Sequence, residues 1–218
     1  MALADYIGKY WAGAEVMYGV IIAMTFTSVL RGYPGIFEFV VQRVTMTALF
    51  CCIAWGIADG LFYLWERNYI IRQENTTIEL SRTTQQKESA LALIREQLDD
   101  TILRNISRDD RSRLYEKLSH DLSGVNGRRK VSLREAVEIV LGTFLLSAGA
   151  GAIVVLPFFV IDTVGQAVMI SNLAGILLLF GAGYFRALSR DLFTRMLYGF
   201  GSSSIGIIIA VLTLVLGG

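Results

Sequence analysis

Asp59 and Glu66 stand seven residues apart on what reads as a single helix. Seven residues are nearly two turns, so both carboxylates fall on one face, roughly 10 Å apart along the axis. Tyr63 lies between them on the same side. Acids inside an apolar run are costly in lipid and mark ion or proton pathways. Carboxylate oxygens are also the ligands that hard and borderline divalent cations seek. Three more acids stand where other apolar runs begin: Glu15 at the first, Glu135 and Glu138 at the third. The five together predict an acidic entrance able to take up a divalent cation. A structural role competes at each position. Glu135 and Ser132 have capping-box spacing, Glu66 beside Arg67 reads as an interfacial charge, and Glu15 as a cap or a snorkelling side chain. Asp59 could instead hydrogen-bond to a neighbouring helix, and Glu138 stands one turn inside Glu135.

Softer donors are less telling. Met17, Met24, Met46 and Met169 carry thioethers suited to iron or copper, but a methionine in an apolar run ordinarily packs. Met24 is the one placed with Asp59 and Tyr63 along the expected path. Glu96 with Asp99 or Asp100, and Glu116 with His120, have spacings that would let each pair share a cation, against the plainer reading of a solvated face. Cys51 and Cys52 are adjacent and read as packing. Nothing resembles a nucleophile–base constellation, a His-rich cluster or a phosphate loop, so the chain does not read as an enzyme, and no resident cofactor is expected.

Five long apolar runs must position these residues: 15–30, 44–65, 136–161, 168–185 and 196–216. Each approaches or exceeds the roughly 17–25 residues that a helix needs to cross a bilayer. The fold class expected is all-α integral membrane, five transmembrane helices with a cytoplasmic helical bundle inserted between helices 2 and 3. Three segments follow: 1–66 with an interfacial helix (Tyr6, Tyr10, Trp11) and helices 1 and 2, 67–131 as the soluble module, and 132–218 with helices 3 to 5. Fourteen of the 20 Lys and Arg residues lie between Arg67 and Arg134, which places that module in the cytoplasm by the positive-inside rule. The N-terminus then lies on the cytoplasmic side and the C-terminus on the opposite one. The first residues mix acids and aromatics, so no cleavable signal is expected.

Within the module, Leu91, Ile94, Leu98 and Ile102 recur at helical spacing, as do Leu114, Leu118 and Leu122. Ser107 opens the second helix in a capping-box pattern, and Gly124–Gly127 closes it. Helix 2 has no breaker at its charged end and is expected to project beyond the membrane. The resulting three-helix bundle has few apolar residues, which points to a homodimer. Two sequons, at Asn75 and Asn105, fall in this module and are expected to stay unmodified. The bilayer, a second copy of the chain, a divalent cation and protons are the expected partners, with no nucleic acid.

The two-plus-three split around a helical insert resembles the vacuolar iron transporter family. Local text adds to it: Glu15-Val16-Met17-Tyr18-Gly19 is similar to that family's opening of span one. The glycine-rich stretch 149–159 with Pro157 and Phe158, then Gly183-Tyr184 and Leu197-Tyr198-Gly199, are similar to its later spans. The resemblance implies export of iron(II) or manganese(II) from the cytoplasm by proton exchange. It also has departures. Ile22 and Ala23 stand where the family has an Asp-Gly pair, Phe62 where a thioether is expected with Glu66 as the nearby acid, and the insert lacks the regular glutamates of the metal-binding module. The alternative expectation is a non-transporting assembly or regulatory protein on the same scaffold, its bundle binding a partner.

Overall fold

The computed structural model describes residues 3–32, 38–189 and 191–217. Among them the chain is all helical, without strands. The main helices are α1 (Leu3–Ser28), α2 (Glu38–Arg82), α3 (Lys87–Leu98), α4 (Arg108–Leu122), α5 (Leu133–Val155), α6 (Pro157–Val160), α7 (Val164–Arg186) and α8 (Leu192–Gly217). Five of them, α1, α2, α5, α7 and α8, are long and apolar enough to cross a membrane. The expected turn at Tyr33-Pro34-Gly35 lies outside the described residues.

Local chemistry sets several helix limits. Gly8 interrupts α1 with φ 81° and ψ 151°, a conformation that side chains with a Cβ rarely adopt. The break therefore falls before Tyr10 and Trp11, which ride on the first turns of the apolar helix rather than on a separate interfacial one. The apolar run 136–161 is not one helix either. α5 stops at Val155 and a single turn, α6, restarts at Pro157; proline has no N–H to donate and its ring clashes with the preceding turn. Asp191 caps α8, its carboxylate accepting from the Thr194 backbone N–H at 2.8 Å and hydroxyl at 2.9 Å. Those bonds favour the charged form and hold the Asp191 carboxyl below the usual range.

The chain divides into two compact units, Met1–Leu64 with Leu133–Gly218, and Trp65–Ser132. In the first, α1 packs against α5, α7 and α8, and its buried residues Met17, Val20, Ala23 and Met24 meet Ala48, Cys52, Ala150, Val154 and Leu179. Glycine makes this closeness achievable. A Cβ on Gly56 or Gly60 of α2 would run into the α5 backbone at Phe144 and Val140, and one on Gly19 of α1 would meet Ser147. Small residues of this kind replace the hydrophobic drive that lipid cannot supply. Hydrogen bonds tie the same helices: Ser147 Oγ donates to the Cys52 carbonyl at 3.1 Å, and Ser28 Oγ to Asn172 Oδ1 at 2.9 Å. Large apolar side chains such as Phe50, Leu61, Leu145 and Leu177 face outward, as a lipid-facing surface requires.

The second unit is built from the end of α2, α3 and α4. Ala90 and Ile94 are buried on α3, but Ile102 is 82% exposed on a short 3-10 turn beyond the end of that helix. On α4 the buried residues are Tyr115 and Ser119, while Leu114 is exposed. The buried face is thus one residue round from the leucine stripe. Ser107 caps α4, accepting from the Asp110 N–H at 3.2 Å and donating to its carboxylate at 2.6 Å. Asn75 clips the Arg128 backbone in both directions, at 2.9 and 2.7 Å, so this sequon side chain already serves the fold.

Candidate functional site

Glu15 is fully buried in the wall of α1. One carboxylate oxygen accepts a hydrogen bond from the Tyr63 hydroxyl of α2 at 3.0 Å. The other, Oε2, is equally buried and has no donor. Asp59, one turn before Tyr63, is half-buried and lies close enough for the two carboxyls to interact directly. Two carboxylates are both acceptors, so they hydrogen-bond to each other only across a shared proton. No basic side chain among the described residues forms an ion pair with either acid.

The frame around this pair is rigid and aromatic. Trp11 packs edge-on against the Tyr63 ring at 6.2 Å, and Tyr10 edge-on against Trp11 at 5.5 Å. A turn further along, Tyr18 meets Trp55 at 6.0 Å. Gly56 and Gly60 bring α5 against the flank of α2 next to Asp59, through Thr143 and Ser147. Asp59, Tyr63 and Glu15 therefore form one cluster where α1 and α2 meet.

Glu138 is bound by Arg134 on its own helix at 2.9 Å. Glu135 sits in the first turn of α5, half-buried. Glu66 belongs to the other compact unit and is exposed. Met24 is fully buried in an apolar setting, with Gly175 and Gly206 beside its thioether arm. It stands nine residues beyond Glu15, about 13 Å along the helix, as a packing residue. Among the described residues no three His, Cys, Asp or Glu side chains converge as a metal-binding group. Cys52 donates weakly to the Gly19 carbonyl at 3.3 Å and packs against Gly151.

Two features were readable in the sequence but not singled out. Gly56 and Gly60 are a small-xxx-small pair flanking Asp59, the spacing that lets two helices approach. Arg186 ends α7 and lies against Gly13, Tyr10 and Met17 of α1. No protein-family model matches the chain, and no curated protein matches it.

Proposed function

We propose that this is a membrane protein that passes a cation along the seam between α1 and α2, with a divalent metal such as iron(II) or manganese(II) as cargo and protons as the exchanging ion. The observation that supports it is Glu15: a carboxylate oxygen removed from water with no donor, next to a second carboxyl. Taking an isolated carboxylate into a low-dielectric interior costs several kcal/mol even after relaxation, of order tens in the idealised limit. A cation or a proton held between Glu15 and Asp59 removes that cost. Exchange of one for the other is the elementary act of a cation–proton antiporter. Tyr63 fixes the Glu15 carboxylate, and the carboxyl pair then accepts the ion as it sheds water. In this reading the helical unit 65–132 faces the cytoplasm, and two copies associate.

Manganese(II) uptake into proteoliposomes tests this. Wild type is expected to load the ion, Asp59→Asn to fail, and Tyr63→Phe to be slowed roughly tenfold to a hundredfold, as for lost positioning groups in metal sites. Uptake unchanged in Asp59→Asn refutes the path.

One observation favours a second reading, a non-transporting assembly or regulatory protein: among the described residues no third His, Cys, Asp or Glu joins the pair. Two carboxyls and a phenol are few ligands for a divalent ion that takes six or more oxygens. Under that reading purified protein binds no manganese(II) and retains a soluble partner through its helical unit.

A further inference from the structure

A groove of about 620 Å³ runs between α1, α5 and α7, lined by Ala12, Gly13, Leu146, Leu177, Gly181 and Phe185, and it ends at Arg186. Its floor is open because a Cβ on Gly181 would touch nothing. At the Arg186 end, the guanidinium stacks over the Tyr10 ring at 3.8 Å and sends Nη1 to the Met17 sulfur at 2.9 Å. Its Nε is buried without a partner. A guanidinium has five N–H donors, and a thioether is a weak acceptor, so most of this donor capacity is unspent. A second guanidinium is close by: Arg195 lies 4.0 Å over Tyr184 and 5.9 Å from the ring of Phe185, which lines the groove.

Glu15 does not neutralise this charge. Tyr10, Gly13 and Met17 recur every three or four residues and form one face of α1. Glu15 is two residues from both Gly13 and Met17, hence about 200° round the helix, facing α2. The length of the groove is also informative. Leu177 is nine residues from Arg186, about 13 Å along α7, which matches one leaflet of a hydrocarbon core roughly 30 Å thick. The occupant that fits is an acyl chain with an anion at one end, placed where a span meets the headgroups.

We infer that this groove binds one acyl chain of an anionic phospholipid, whose phosphate rests on Arg186. The site is independent of the Glu15–Asp59 cluster and stands or falls without it.

Native mass spectrometry of the full chain, released from bilayers of equal phosphatidylglycerol and phosphatidylcholine, tests the inference. Wild type is expected to retain phosphatidylglycerol over phosphatidylcholine by roughly fivefold, the effect of one basic residue at an anionic surface. Arg186→Gln should bring the two lipids to parity, and Arg186→Lys should keep much of the preference. Gly181→Leu, which fills open space and leaves the guanidinium in place, should lose both lipids while its helicity and melting stay those of wild type. Equal retention of both lipids by wild type, or an unchanged preference in Arg186→Gln, overturns the inference. So does a dimer that Gly181→Leu dissociates without altering the bound lipid, because the groove would then be covered by a second copy.

Discussion

Acids in the helical unit 65–132 and Glu15 of α1 are treated in opposite ways. In the former, Asp99 accepts from Arg111 at 3.2 Å and from the Tyr115 hydroxyl at 2.8 Å. Glu74 pairs with Arg128 at 2.9 Å, and Asp110 closes the cap on α4. These carboxylates stand near water, where partners are worth little, yet each has one. Glu15 is fully buried and has a phenol on one oxygen, nothing on the other, and a second carboxyl beside it. Acids that serve the fold are saturated; the acid for which saturation matters most is left incomplete. The proposed exchange of an ion at Glu15 and Asp59 rests on that difference.

The sharpest way to break the contrast is to neutralise one acid from each region. Glu15→Gln keeps the shape and an acceptor for Tyr63 but removes the charge, and manganese(II) uptake is expected to fall roughly tenfold to a hundredfold. Asp99→Asn should leave uptake as in wild type. Equal effects would erase the distinction. Next in size, Ile94→Ala cuts into the buried face of α3 and should destabilise that unit by about 2–5 kcal/mol, seen as faster amide exchange in 65–132. Uptake per folded protein should not change.

Gly60→Leu should cost about 1–3 kcal/mol by overpacking, because the new side chain meets Thr143 and Val140. Forcing α5 from α2 moves the support of Asp59, so a lowered thermal midpoint with loss of uptake is expected; a lowered midpoint alone would separate packing from the site. The smallest effect concerns pH. Burial, together with the bond to Asp99, pushes the Tyr115 phenol above the ordinary tyrosine range. The folded state therefore holds that proton more tightly than the unfolded chain. The stability from it is fully present below about pH 10, the ordinary tyrosine value, and is lost as pH rises beyond. Spectrophotometric titration of wild type against Tyr115→Phe should show one tyrosine that ionises late.

Much of the scaffold was legible because length and apolarity alone define a helix that crosses lipid. Five such runs, the cap at Ser107 and the continuation of α2 beyond residue 65 needed no tertiary knowledge. Boundaries were less so: Pro157 divides a run that hydropathy joins, and Gly8 separates Tyr6 from Tyr10 and Trp11, which are expected on one interfacial helix. On α4 the leucine spacing pointed to Leu114, but Tyr115 takes the interior because its hydroxyl reaches Asp99 there. Within the candidate site, the period of α2 put Asp59 and Tyr63 on one face. It could not show that Glu15, more than forty residues earlier, would meet them, since that pairing is a contact between two helices. Glu66 shares the helical face of Asp59 but belongs to the other compact unit, which periodicity does not reveal.

Equilibrium binding of manganese(II) to the purified protein, compared with the Glu15→Gln/Asp59→Asn double variant, tests the central claim most directly. The account predicts saturable binding that releases protons in wild type, and its loss in the double variant with the helical fold intact. The same affinity and stoichiometry in both proteins would contradict it.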